Sequence, residues 1–266
     1  ELSSDIRKRR MPAWFNRLQI IDSTTISLFS NLIFKGVGRH PKTEKKKGSI
    51  KVHTNIHANE FVPSDIKFTS AATNGSFMLK PANYNDGDII AMDRAYIDYA
   101  RFEELTNRGV TYVTKMKKNL VYDTLSDTMY MLPCGLMECR VQVVEFRKHI
   151  KGGENIKHKA RIVTYVDPAK KKAKVISLLT NDMTMEVEDI IDIYRQRWEI
   201  ELLFKQLKQN FPLKYFYGES ANAIKIQIWV TLIANLLLMV IKKRIKPSWS
   251  FSENHAHVLC ELLYFP

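Results

Sequence analysis

Two short apolar runs that each end in an aspartate constrain this chain most. Leu18-Gln-Ile-Ile-Asp22 and Asp88-Ile-Ile-Ala-Met-Asp93 read as short strands that deliver a carboxylate at their C-terminal ends. Ser23 to Phe29 keeps β-type composition, Lys51 to His57 alternates loosely, and Phe61 to Thr69 is a further β-rich run. With Asn59-Glu60 suited to a hairpin turn, these are expected to be three consecutive antiparallel strands. A short helix is expected over 73–82 and a turn at Asn85-Asp-Gly87. Ile97 to Arg108 is helical in pattern, with Tyr99, Phe102 and Leu105 on one side, and stops at Gly109. Val110 to Thr114 has strong β propensity. The order is therefore β-β-β-α-β-α-β, followed by something different.

Residues 119–181 break the pattern. Short runs such as Val141 to Phe146, Ile162 to Val166 and Val175 to Leu178 are separated by Pro133, Gly152-Gly153 and Asp167-Pro168. This β-rich stretch carries ten lysines and arginines over 147–174 against Glu154 and Asp167. It reads as an insertion that touches DNA, with a merely solvated charged hairpin as the alternative. Helical character returns at Glu186 and runs to Lys208, with Thr184 as the expected N-cap. A last long helix spans about 221–243 by its apolar content.

The helix ending at Lys208 has an unusual polar face. At about 100° per residue, Tyr194, Arg197, Glu201 and Lys208 fall at about 0°, 300°, 340° and 320°, a stripe about 60° wide. Ile193, Ile200, Leu203, Phe204 and Leu207 occupy the adjoining sector and are expected in a core. Trp198 and Leu202 flank the stripe on its other side, and core packing is expected for both. The stripe is about 21 Å long, comparable to roughly six phosphate spacings on one DNA strand. The plain alternative is a surface helix with i,i+4 pairing, Arg197 to Glu201 for example.

The formal net charge of +13 over 266 residues points to a polyanionic partner, nucleic acid first. Residues 35–51 alone hold seven lysines and arginines against Glu44 and read as a basic loop. Three cysteines, Cys134, Cys139 and Cys260, argue against a disulfide framework and for a reducing compartment. The run Ile224 to Ile241 is interrupted by Lys225, Gln227, Thr231 and Asn235, so a buried helix is expected and no membrane partner. The chain begins at Glu1 and shows no signal-peptide pattern. Residues 1–17, with Leu2, Trp14 and Phe15 as docking points, read as the tail of a missing N-terminal region.

If the strands ending in Asp22 and Asp93 are sheet neighbours, a helix packed across them could bring Glu201 alongside. Three carboxylates within about 4 Å would repel by roughly 4 kcal/mol per pair at an effective dielectric near 20. Such a cluster persists only when protonated or bound to cations, and hard oxygen donors suit Mg²⁺ or Mn²⁺. Singly, each has a structural alternative: Asp22 as a cap for Thr24 or Thr25, Asp93 as a partner of Arg94 or Arg101.

The spacing Tyr194-x2-Arg197-x3-Glu201-x6-Lys208 resembles the signature around the catalytic glutamate in DDE transposases of the insertion-sequence-4 family. Ile21-Asp22-Ser-Thr-Thr25 resembles that family's first-aspartate block. Met92-Asp93-Arg94-Ala95-Tyr96-Ile97-Asp98 resembles the second, where glycine is more usual than Ala95. Gly109 to Asn119 resembles the strand that closes the block, and Gly48 to His53 with Pro63 its early hairpin. The similarity covers roughly residues 18–240. Ala72-Thr-Asn74 departs from it, since relatives often carry His-Asp there.

The resemblance implies an α/β fold, a ribonuclease H-like mixed sheet flanked by helices with a β-rich insertion subdomain. The core would run over 18–118 and 182–266, around the insertion at 119–181. It implies Asp22, Asp93 and Glu201 as catalytic ligands of two Mg²⁺ (or Mn²⁺) ions. Tyr194, Arg197 and Lys208 would contact phosphates and a displaced base at the transposon end. Double-stranded DNA, both transposon ends and target, is the implied partner, with a dimer in the DNA complex and a bacterial, nucleoid-associated cytoplasmic location. Cut-and-paste transposition through a hairpin is the implied reaction. A ribonuclease H-fold nuclease or resolvase without strand transfer, or a non-catalytic DNA-binding relic, are the alternatives. His53 and His57, with His255 and His257, could suggest zinc, but the cysteines have no ligand spacing and the resemblance implies none, so no zinc is expected.

Overall fold

The computed structural model of the chain describes residues 12–28, 49–60, 62–71, 73, 75–132, 138–148, 155–167, 174–211, 213 and 215–245. The basic loop over 35–48, the lysine triplet at 170–172, Leu2, His255 and His257 lie outside them. Nine strands form one sheet in the order β3-β2-β1-β4-β5-β9-β8-β7-β6. They are β1 (Leu18–Ser27), β2 (Ser49–His57), β3 (Pro63–Ser70), β4 (Ile89–Met92), β5 (Thr111–Lys115), β6 (Asp123–Met131), β7 (Glu138–Lys148), β8 (Ile156–Asp167) and β9 (Lys174–Thr180). The helices are α1 (Tyr99–Asn107), α2 (Val187–Asn210) and α3 (Ala221–Ile245).

The centre is parallel. β1 pairs β4 in the register Leu18↔Ile89 to Ile21↔Met92, and β4 pairs β5 from Ile89↔Thr111 to Met92↔Thr114. The first four residues of β1 and all of β4 are buried, as continuous apolar runs in parallel strands require. β2 lies between β1 and β3: Ala58 N donates to Leu18 O, and Ala71 N donates to Ser49 O. The stretch 119–181 supplies β6 to β9, each antiparallel to its sequence neighbour, and β9 joins the sheet antiparallel to β5.

Local chemistry sets the breaks between elements. Asp98 caps α1 by accepting from Ala100 N. Gly109, at φ 72°, ends the helix in the left-handed conformation that a side chain would strain. Residues 73–82 hold two 3₁₀ turns, Gly75–Met78 and Pro81–Asn83, in place of the expected helix. Pro81 removes a backbone donor and favours a fresh turn start there. Thr184 is not the cap of α2. The Asp182 carboxylate takes Thr184 N and Met185 N, and the helix starts later, at Val187.

The described residues divide into two compact units. The first draws on Glu1–Ser23, His53–Ile66 and Asn74–Ile200, the second on Thr24–Val52, Lys67–Thr73 and Glu201–Pro266. In the first, one apolar core joins Ile21, Ile90, Met92, Phe102, Leu105 and Tyr112 to Val144, Phe146, Ala160 and Ile162 of β7 and β8. Tyr99 stacks on Phe146 and Phe102 on Tyr112. Trp14 is a docking point as expected, its indole N–H donating to Asp189 at 2.8 Å.

In the second unit, Phe204, Leu207, Leu213, Ile228 and Leu232 surround a small apolar hollow with Ile26 and Val52. Phe68 meets Trp229 edge to face. α3 departs from the expectation of a buried helix. Ile226, Val230, Ile233, Leu237 and Val240 are exposed along one side. Its stretch Ala221–Ile241 is long and apolar enough to cross a membrane by length and composition, and about a third of it (33%) is buried.

Candidate active site

The parallel register brings the two aspartates together. Ile21 and Met92 are the last paired residues of β1 and β4, so Asp22 and Asp93 are the next residue on each of two adjacent strands. One Asp22 oxygen accepts from Ser23 N at 2.7 Å and the other from Arg197 Nη1 at 2.8 Å. Asp93 accepts from Ala95 N at 2.9 Å and so opens the 3₁₀ turn Arg94–Tyr96. Arg101 instead donates to the carbonyls of Ser76 and Leu79 and pairs with Asp98.

Arg197 reaches Asp22 from α2, and the pair is largely withdrawn from water, with side chains 9% and 14% exposed. Its guanidinium lies 5.5 Å from the Tyr194 ring centroid and 6.0 Å from that of Trp198. Tyr194 is buried, and burial raises its phenol pKa. Arg197 works against that rise, while the negative charges of Asp93 and Asp22 add to it. Both carboxylates are therefore felt at one tyrosine of α2.

Beside this group is a hollow of about 160 Å³ whose wall includes Lys115, Tyr165, Lys174, Tyr194, Arg197 and Trp198. Cationic and aromatic side chains in one recess suit a phosphate carrying a stackable ring. Trp198 corrects the core assignment made from its helical angle: it is 54% exposed, and Leu202 is 48% exposed. The aliphatic set at Ile193, Ile200, Leu203, Phe204 and Leu207 is buried as expected. Lys115, Tyr165, Lys174 and Trp198 were not read as site residues. Only Trp198 carried a usable signal, its place beside the polar stripe.

Glu201 follows Arg197 by one turn of α2 and belongs to the second unit, where it is half-buried. Lys208, in the last turn of α2, is exposed at the surface while its stem lines the apolar hollow of that unit. That partial burial holds its ammonium pKa below the usual lysine value. Among the described residues, no three of His, Cys, Asp and Glu stand close enough to hold a metal ion. The structure thus unites Asp22, Asp93, Tyr194 and Arg197, and a three-carboxylate ligand set is a proposal. What Asp22 and Asp93 offer fits a hard divalent cation: half-buried carboxylates on adjacent strand ends, one of which, Asp22, already draws a guanidinium to balance its charge.

Comparison with known proteins agrees with this reading of the fold. The cryo-EM structure of the piggyBac transposase synaptic complex with hairpin DNA matches 94% of this chain and 54% of that one. The TM-score is 0.54 at 12% identity. The shared fold is the ribonuclease H-like one, a mixed sheet flanked by helices. Residues 13–237 match the family described as Transposase DDE domain, and the chain belongs to that family. Relatives include the inferred transposase y4zB of Sinorhizobium fredii, 25% identical over 226 residues, covering 84% of this chain and 60% of that protein. The inferred transposase of insertion sequence element IS4SA of Synechocystis is 28% identical over 226 residues, covering 83% and 59%. That of IS5377 of Geobacillus stearothermophilus is 24% identical over 252 residues, covering 88% and 60%. The chain thus spans about 60% of the length of these curated relatives.

Proposed function

We propose that the chain is the catalytic domain of a cut-and-paste DNA transposase that cleaves transposon ends and joins them to target DNA. The observation that carries this reading is the pair Asp22 and Asp93 on adjacent parallel strand ends, with Arg197 against Asp22 and a cationic, aromatic recess beside them. Asp22, Asp93 and Glu201 would hold two Mg²⁺ or Mn²⁺ ions. When bound, such ions supply an activated nucleophile and neutralise the leaving oxygen in an in-line displacement at phosphorus.

The other residues act on the DNA. Arg197 presents a planar fork to a phosphate of the cleaved strand, exchanging it for Asp22. Tyr194 and Trp198 offer ring faces to a displaced base. Lys208, about 10 Å along the helix from Glu201, suits a more distant phosphate. The strand freed by the first cut would attack the opposite strand to give a hairpin end, and the reopened 3′ end would then be joined to target DNA. Residues 119–181, which hold β6 to β9, would serve as the insertion subdomain of the core. Two ends must be joined together, so a dimer on DNA is part of the proposal, in the bacterial cytoplasm beside the nucleoid.

The experiment is a strand-transfer assay with pre-cleaved ends carrying the element's terminal repeat, plasmid target and Mg²⁺. Joined products that vanish with Asp22→Asn support the proposal. Nicking without joining would leave a nuclease, and neither would leave a DNA-binding protein.

A further inference from the structure

Tyr96 is fully buried although its hydroxyl is polar and phenylalanine would fill the same volume. A buried hydroxyl that makes no hydrogen bond is costly, so its partners are informative. The Tyr96 and Ser23 hydroxyls are hydrogen-bonded to each other, and His53 Nδ1 lies 3.5 Å from the Tyr96 oxygen. Ser23 is the residue whose backbone N–H holds one oxygen of Asp22, at 2.7 Å. Asp93 opens the turn that swings Tyr96 into place, and Tyr96 N donates to Asp93 O at 3.0 Å.

The ring itself is fixed. A Cβ at Gly75 would stand 3.0 Å from two of its carbons, and His53 meets Phe77 edge to face with centroids 5.0 Å apart. One phenol thus ties together the residues that follow both strand-end aspartates. Burial pushes its phenol pKa up, the Ser23 hydrogen bond works against that rise, and the negative charges of Asp22 and Asp93 add to it.

We propose that Tyr96 is a positioning residue for the metal ligands, acting through Ser23 to hold the Asp22 carboxylate and through its own turn to hold Asp93. This rests on the reading of Asp22 and Asp93 as metal ligands. Hydrogen-bonded groups behind metal ligands are worth about 10- to 100-fold in metal affinity, because they fix carboxylate orientation before the ion arrives.

The test is Mn²⁺ binding to the full chain without DNA, read from the electron paramagnetic resonance signal of free Mn²⁺. Tyr96→Phe, which removes only the hydroxyl, is expected to weaken Mn²⁺ binding about tenfold, with thermal unfolding as the check on folding. Ser23→Ala is expected to do the same, and the double variant to be no worse than either single one, since both break one chain of bonds. If Tyr96→Phe does not fold, Ser23→Ala carries the test. Unchanged Mn²⁺ affinity in these variants, alongside weakened binding in Asp22→Asn, overturns the positioning role alone. Unchanged affinity in Asp22→Asn removes the metal site and the proposal with it.

Discussion

In the proposed function the Arg197–Asp22 contact serves two states. In the structure the guanidinium balances a half-buried carboxylate; on DNA it would balance a phosphate. Removing one member of a buried ion pair typically costs about 3–5 kcal/mol, because the other charge is left without water or partner. Asp22→Ala would therefore confuse lost chemistry with lost stability, and the isosteric Asp22→Asn is the better probe. Arg197→Ala is expected to lower stability and to reduce the slope of log affinity against log salt for end DNA by about one unit. An unchanged slope in a fluorescence-anisotropy titration would count against a phosphate contact. Trp198→Ala is expected to weaken binding of a single-stranded oligonucleotide by about 1–3 kcal/mol, the usual worth of one base stacked on an aromatic ring. Fluorescence anisotropy of a labelled oligonucleotide measures this, and equal affinities would return Trp198 to an ordinary surface residue.

Elements divided by how much their own sequence had to say. β1 and β4 were legible because strands buried on both faces are mostly apolar, with Gln19 kept in β1 by its bonds to Asn55 and Asp88, and an aspartate closing such a run stands out. The core side of α2 was legible from its 3.6-residue period. Trp198 and Leu202 were not, because an apolar residue at the edge of a helical stripe has the same angle whether it is covered or exposed. The stretch 73–82 was misread as a helix because Gly75 and Pro81 decide it locally. The exposed side of α3 was invisible, since composition reports apolarity and not what covers it.

The way α1, β5 and β8 are locked together was equally silent. His158 is buried with Nδ1 2.8 Å from Glu103 and Nε2 2.6 Å from the Tyr112 oxygen. A carboxylate only accepts, so neutral His158 donates from Nδ1 to Glu103 and accepts at Nε2 from the Tyr112 hydroxyl. Burial is the largest influence and pulls the imidazole pKa below its usual 6.5, against the opposing pull of Glu103. The sign follows: the unfolded chain binds a proton that the folded one refuses, so stability present above about pH 6.5 is lost as pH falls through the depressed value. Urea unfolding at pH 8 and pH 5.5 is expected to show this loss in the native chain and a smaller one in His158→Gln. Equal losses would mean that His158 is not the group responsible.

For the whole molecule, a charge of +13 and a cationic recess on the Arg197 side of Asp22 are what the proposed delivery of a polyanion to a metal site would need. Membership of the DDE transposase family and the ribonuclease H-like fold agree with that. The distinctive claim is that three carboxylates from separate elements act together while the rest of the surface binds DNA without them. The most direct measurement is strand transfer of pre-cleaved ends in Mg²⁺ by Asp22→Asn, Asp93→Asn and Glu201→Gln, with end binding measured in parallel. Each variant is expected to lose joining by at least about a thousandfold while end affinity stays within about tenfold, roughly 1.4 kcal/mol. Near-native joining in any one of them would contradict the account at that residue, and at Glu201 would remove the third carboxylate altogether.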